Sequence, residues 1–235
     1  MKRRIASSIL VLGALFVSTL MTGDFYPIRG QLNIAFAQSH TSHARWTPPD
    51  PIGWRLEYSP RTTLTITSEG PSFQFPNGKA NSSVNMLTKW WPGTTAGSLA
   101  VTTRIVTTGT PIFRLRQGPE PQCSNPPAAR AWLATTDWTN GSLPDYEWNR
   151  WWSRDGYTVL GPGTTSIDVP LDPAGWSNVN GQLASSTPEA TTHFWRVVNQ
   201  GGRLGLVFGG GCSYGHGIYV TGGTAVFTIL QYDVL

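Results

Sequence analysis

Charge is what this sequence has least of. Aspartate, glutamate, lysine and arginine make up only 13% of its 235 residues, about half the share of an ordinary soluble domain. That scarcity excludes a long solvated helix laced with ion pairs and a charged disordered chain. Cysteine is limited to Cys123 and Cys212, too few for a disulfide-dense miniature scaffold or a four-thiolate zinc site. No apolar stretch reaches the roughly 20 residues that a membrane-spanning helix needs. Helical periodicity is almost missing as well. Only Thr187–Asn199 (TPEATTHFWRVVN) carries it, with Thr187 placed as N-cap and Pro188 at the first helical position.

Familiar catalytic and metal-binding spacings are absent too. There is no G-x-S-x-G, H-E-x-x-H, C-x-x-C or EF-hand pattern. The glycine-rich GGGCSYGHG segment, Gly209–Gly217, does bring Cys212 close to His216. A tight turn between two final strands explains its glycines more simply than a thiolate–imidazole pair does. No cofactor is implied.

What is present begins with an export signal. Met1-Lys2-Arg3-Arg4 precedes the apolar run Ile5–Met21, and Ala35-Phe36-Ala37 supplies a small-x-small cleavage site. Residues 1–37 therefore read as a secretory leader, with an uncleaved anchor as the alternative. Residues 38–52 are a polar, proline-bearing lead-in, and 53–235 form one domain. The expected location is secreted, periplasmic or cell-surface, with no transmembrane segment once the leader is gone. In such a compartment Cys123 and Cys212 are expected to pair. The leader also carries most of the net charge of +4: without residues 1–37, thirteen basic residues face twelve acidic ones. A nearly neutral chain with singly scattered arginines is not built for nucleic acid.

The domain is rich in glycine, threonine and tryptophan, and all eleven tryptophans follow the leader. Ten short runs of β-branched and aromatic residues recur between turn signals. They are Trp54–Tyr58, Thr62–Thr67, Ser72–Phe75, Ser98–Thr108, Ile112–Gln117, Ala129–Thr135, Tyr146–Trp152, Thr165–Leu171, Arg203–Gly209 and Thr224–Val234. This pattern predicts an all-β fold, an antiparallel sandwich or jelly roll of about ten short strands. Of the tryptophan pair Trp90-Trp91, one indole is expected in the core and one over a loop, while Trp54, Trp176 and Trp195 read as packing residues. The run TTSIDVPLDPAGWSNVNG and the tail RLGLVFGGG…GGTAVFTILQYDV resemble secreted jelly-roll modules of the galactose-binding-like type. Carbohydrate-binding modules share that architecture, so the resemblance implies a fold and, by analogy alone, a glycan ligand. It also implies a structural calcium at Asp233 in the last strand, with Glu57 and Glu69 as partners from the first strands.

The segment YEWNRWWSRD, Tyr146–Asp155, concentrates the interesting chemistry. Read as a strand, it places Glu147, Asn149, Trp151 and Ser153 on one face and Tyr146, Trp148, Arg150 and Trp152 on the other. The first face has the makings of a polyol site: an indole platform beside a carboxylate and an amide. The reverse assignment is equally open, because a core accepts arginine no better than glutamate. Asp137 and Trp138, in the loop before this strand, would join the same groove through a hairpin from Ala129 to Trp152. The candidate ligand-binding residues are thus Trp151, Glu147, Asn149, Asp137 and Trp138, and the expected function is non-catalytic binding of a carbohydrate or cell-envelope glycan. Two alternatives stand beside it. One is a structural or adhesive extracellular protein. The other is a glycan-cleaving enzyme using Asp145 and Glu147 as paired carboxylates.

Overall fold

Strand-forming residues and turn-forming residues alternate along the whole domain, and the fold follows that punctuation. The computed structural model describes residues 44–45, 53–78, 82–95, 97–116, 126–139, 146–210 and 216–235. Its strands are β1 (Ala44–Arg45), β2 (Arg55–Glu57), β3 (Thr65–Ile66), β4 (Pro71–Gln74), β5 (Met86–Trp91), β6 (Ser98–Leu115), β7 (Ala128–Ala134), β8 (Arg150–Val159), β9 (Gly163–Pro170), β10 (Trp176–Ser177), β11 (Gly202–Gly209) and β12 (Ile218–Val234). One sheet runs β3-β4-β12-β6-β9, with β1 also paired to β12; the second runs β10-β8-β7-β11-β5-β2. All pairings are antiparallel.

Eight of these strands give the order β4-β12-β6-β9 facing β5-β11-β7-β8. The chain crosses between sheets at almost every connection, which is the winding of a jelly roll. The expected sandwich is therefore the observed fold, though β6 and β12 are far longer than the short strands the sequence suggests. The reason lies at Gly109-Thr110-Pro111, which reads as a break. The ladder instead runs through it, because the register slips between Thr221 and Gly223. Gly223 has no side chain there, and a Cβ on it would lie 2.9 Å from the Pro111 nitrogen. A bulge opposite a glycine is one of the few places a strand tolerates proline.

The core lies between the sheets. Along Ser98–Ile105 burial alternates with period two, as a strand with one face on the core requires. Phe73, Phe75, Phe208 and Phe227 interlock at its centre, with ring centroids 5.0–6.3 Å apart. Tyr232 is buried in the same core against Trp54, its hydroxyl donating to the Gly205 carbonyl at 3.4 Å. Burial pushes that phenol far above its usual pKa.

One helix, α1 (Pro188–Gln200), occurs among the described residues. It begins as expected, with the Thr187 hydroxyl accepting from the Ala190 amide at 3.1 Å. Gly201 ends it at φ 69°, pressed against the Trp91–Gly93 turn, a conformation that favours glycine. Phe194, Val197 and Val198 point into the core. Trp91 is buried and Trp90 is 59% exposed. Trp176 is buried with its indole N–H on the Pro170 carbonyl at 2.9 Å.

No helix among the described residues is long and apolar enough to cross a membrane. The leader, residues 38–43 and 46–52 of the lead-in, Cys123, Asp145 and Cys212 lie outside the described residues.

Three stability outcomes follow. Trp151→Ala, which empties a fully buried site, is expected to lower unfolding free energy by about 3–5 kcal/mol, whereas Trp90→Ala should change it by no more than about 0.5 kcal/mol. Thr187→Ala removes the helix cap and should cost about 1 kcal/mol. Urea unfolding followed by tryptophan fluorescence and far-UV dichroism measures all three.

Candidate functional site

The site follows from how the chain enters β8. Tyr146–Trp148 form a 3-10 turn rather than strand, so side chains there repeat every three residues, not every two. Trp148 and Trp151, three apart, consequently both reach the core. Trp151 packs edge-on against Phe194 of α1 at 5.6 Å, and Trp148 stacks on His193 at 5.2 Å. Asn149 is also buried, its side-chain oxygen accepting from Arg196 of α1 at 3.2 Å. The Glu147 carboxylate accepts from the Asn180 amide at 2.9 Å.

This corrects the polyol-face expectation. Trp151 is 0% exposed, so it offers no platform to a ligand. Asn149 and Ser153 point inward with it. Glu147 is committed to Asn180 and leaves the Asn149–Trp151 pair inside the protein. Within β8 the reverse assignment holds, with Arg150 and Trp152 facing outward, while Trp148 in the preceding turn stays in the core. Register fixes that phase, since Leu133 pairs with Trp151 and Ala134 with Arg150.

Cross-strand rows on the outer face of the second sheet then assemble residues far apart in sequence. One row is Glu57, Met86, Val207, Arg130 and Tyr157; the next is Arg55, Thr88, Gly205, Trp132 and Trp152; a third is Trp90, Arg203, Ala134 and Arg150. A second apolar cluster forms here, outside the main core, from Met86, Trp132, Ala134, Trp138 and Val207, with Trp152 packed against it. Beyond the end of β7 the chain turns back over this face. Trp138 thereby meets Trp132 edge-on at 5.0 Å, and its neighbour Asp137 stays exposed. Of the five candidate residues, the structure brings Asp137 and Trp138 to this face and leaves Glu147, Asn149 and Trp151 elsewhere.

Two arginines on the face are handled differently. Arg130 lies over the Tyr157 ring at 4.6 Å and donates to the Ser153 and Arg154 carbonyls at 3.0 and 2.5 Å. Those carbonyls are free because β8 bulges between Trp152 and Tyr157. Arg150 has no such partners. Its guanidinium sits 4.4 Å from the Tyr146 ring, 5.7 Å from Trp138 and 5.8 Å from Trp152, and it donates to the Tyr146 hydroxyl.

Tyr58 is the residue that sequence reasoning missed. It directly follows β2, is 58% exposed, and holds φ at 52°, a left-handed conformation that costs an aromatic residue about 1–2 kcal/mol. Its ring meets Trp138 edge-on at 5.7 Å. Tyr58 also lines an open cavity of about 540 Å³ with Leu56, Ser59, Pro60, Asn85 and Arg116. Ser59 anchors the turn by donating to the Glu57 carbonyl and accepting from the Asn85 amide, both at 3.0 Å. No sequence signal marks Tyr58, because its importance lies in a backbone angle.

The calcium expectation finds no cluster. Glu57 is held by Arg55 at 2.6 Å and Thr88 at 2.9 Å, Glu69 by Arg104, and Asp233 by Gln231 at 2.5 Å. No group of three metal-ligating side chains occurs among the described residues.

No family model matches the chain, and no curated protein matches it. Among solved structures it is similar to the C-terminal CBM6 of LamC, a marine laminarinase from Zobellia galactanivorans, at 10% identity over 80% of this chain and 99% of that one, with a TM-score of 0.28. It is similar to the L4b domain of human laminin alpha-2 at 10% identity over 77% and 96%, TM-score 0.31. The Emp46p carbohydrate recognition domain in its potassium-bound form matches at 8% identity over 77% and 87%, TM-score 0.33. Likeness at this level leaves the argument for function to the site itself.

Proposed function

We propose that this protein is an exported, non-catalytic binding protein whose ligand is a carbohydrate or cell-envelope glycan. The observation that carries the reading is Tyr58: an exposed ring held in a strained backbone, edge-on to Trp138, at the wall of a cavity that also offers Asn85 and Arg116. Backbone strain persists where the surroundings force it, and a ring so placed supports a binding role. Aromatic faces suit the C–H side of a sugar ring, and amide, hydroxyl and guanidinium groups suit its hydroxyls. Asp137 lies beside Trp138 at the exposed rim. Asp145, half of the carboxylate pair an enzyme would need, lies outside the described residues, and Glu147 is bonded to Asn180.

Export and a Cys123–Cys212 bridge belong to the same reading. Described residues of the two flanks come together: Ala128 pairs with Gly209, and a Cβ on Gly210 would lie 2.6 Å from the Pro126 carbonyl. A bridge closing so long a loop stabilises by roughly 2–4 kcal/mol.

Retention on a panel of insoluble and gel-embedded polysaccharides tests the binding. The wild type is expected to be retained on at least one, and Tyr58→Ala to bind about tenfold more weakly, a loss of about 1.4 kcal/mol. Tyr58→Gly separates binding from folding. It should bind equally poorly yet unfold at the same or a higher denaturant concentration, because glycine relieves the left-handed strain. Unchanged retention in both variants would remove Tyr58 from the site, and retention on no glycan would leave the adhesive reading ahead. Intact mass and alkylation of the unreduced secreted protein check the rest: the expected results are a start after Ala37 and no free thiol.

A further inference from the structure

One turn of the chain serves two cavities. Tyr58, Ser59 and Pro60 line the cavity of about 540 Å³, and the next residues, Arg61, Thr62 and Thr63, line a second of about 410 Å³. The Thr62 amide closes the turn by donating to the Ser59 carbonyl at 3.2 Å. The second cavity owes its existence to an incomplete sheet edge. β3 pairs with β4 at Pro71 and Ser72 alone. Beyond Ser72 no described strand covers β4 on that side, and the cavity opens beside residues 73–76.

An open strand edge offers main-chain donors and acceptors. The Phe75 amide donates to the Ala225 carbonyl of β12 at 2.9 Å. Hydrogen-bonding direction alternates along an antiparallel strand, so the N–H and C=O of Gln74 turn away from β12, to the uncovered side. Side chains add to this set. Ser72 is spent on Thr228 and the Phe227 carbonyl, and Thr67 on the Gly70 carbonyl. Arg61, Thr63, Thr65 and Gln74 line the cavity, are exposed, and make no side-chain hydrogen bond to a described residue. A molecule arriving from solvent reaches all four.

The chemistry of the lining selects a class of ligand. A threonine hydroxyl both donates and accepts, and so does the glutamine carboxamide. With the main-chain groups of Gln74, the cavity presents donors and acceptors side by side. A sugar hydroxyl has the same double character and satisfies such a set. An oxyanion has lone pairs alone and would set its negative charge against the carbonyl oxygens of Gln74. Arg61 is the one charged residue in the lining, and an exposed cation is largely screened by water and salt. Pro76 and Val226 are half-buried and supply apolar surface for C–H groups.

We propose that this cavity is a second sugar-binding site, that its ligand is a neutral glycan, and that one chain of that glycan crosses the turn at residues 59–62 to fill both cavities. The proposal rests on the glycan-binding reading at Tyr58 and extends it in site and in sugar class.

Affinity electrophoresis of the full chain in gels containing hydroxyethylcellulose, galactomannan, dextran or polygalacturonate tests it. Retardation is expected in at least one neutral polymer and not in polygalacturonate. Gln74→Ala and Thr63→Val should each weaken it about fivefold, the effect of losing one hydrogen bond. Their melting temperatures should match the wild type, because both side chains are exposed and unbonded. Thr63→Val lies outside any strand and serves as the measure if Gln74→Ala fails to fold. In calorimetric titration with oligosaccharides cut from the retaining polymer, wild-type affinity should rise with chain length. Gln74→Ala should lose that rise while binding the shortest fragments as the wild type does. Wild-type affinity independent of length would overturn the crossing chain. Unchanged retardation in both variants, with Tyr58→Ala weakened, would overturn the second site and keep the glycan reading. Retardation by polygalacturonate alone would overturn the neutral class and keep that reading. Retardation by none of these polymers, nor by any glycan of the wider panel, would overturn both.

Discussion

The register between β7 and β8 is the constraint on which the rest of this structure depends. Leu133 opposite Trp151 and Ala134 opposite Arg150 decide which side of the sheet every aromatic in the segment takes. Side chains alternate with period two, so a slip by one residue would exchange the faces. Trp151 would leave Phe194, and α1 would lose the indole against which it docks. Arg150 would enter a core with no anion to receive it, at a cost of several kcal/mol. Trp152 would leave Trp132, its cross-strand partner. One pairing thus anchors the helix on one side of the sheet and the aromatic–arginine face on the other.

Two arginines on that face show how a fold separates packing from chemistry. Arg130 and Arg150 both lie against aromatic rings and both belong to the β7–β8 pair. Arg130 finds carbonyls of Ser153 and Arg154 because the bulge in β8 turns them out of the ladder. Where β8 is regular, the ladder consumes the carbonyls and none is left for Arg150. The same irregularity that satisfies one guanidinium leaves the other held by the Tyr146 hydroxyl and three aromatic rings. Regularity of a strand is in this sense a chemical property: it decides which cations on its surface remain available.

What could be read from the sequence follows the range of the interaction. The helix cap at Thr187, the buried Trp176 and the division of labour between Trp90 and Trp91 depend on a few neighbouring residues, and all were legible. The jelly-roll class was legible too, because strand-and-turn punctuation is local. β6 was not legible as one strand, since the bulge that accepts Pro111 needs Gly223 from more than a hundred residues away. The site suffered most. Period-two reading of YEWNRWW assumes a strand throughout, and the 3-10 turn at Tyr146–Trp148 shifts the phase before β8 begins. The arginines look scattered in one dimension. Strand order places Arg55, Arg130, Arg150 and Arg203 in three adjacent rows of one face, against a single acid.

The parts of the outer face are half-hidden and firmly held. Trp132 is fixed by the sheet, Trp138 by Trp132, and Tyr58 by Trp138 and by a Ser59 turn that ties β2 to the Asn85 amide. Each ring is held by the one beneath it, so little side-chain freedom remains to be lost when a ligand arrives. The strain at Tyr58 belongs to the same design. A relaxed backbone would let the phenol leave the cavity wall, and the left-handed turn keeps it there at a standing cost to stability. A surface that served packing alone would gain by relaxing that turn.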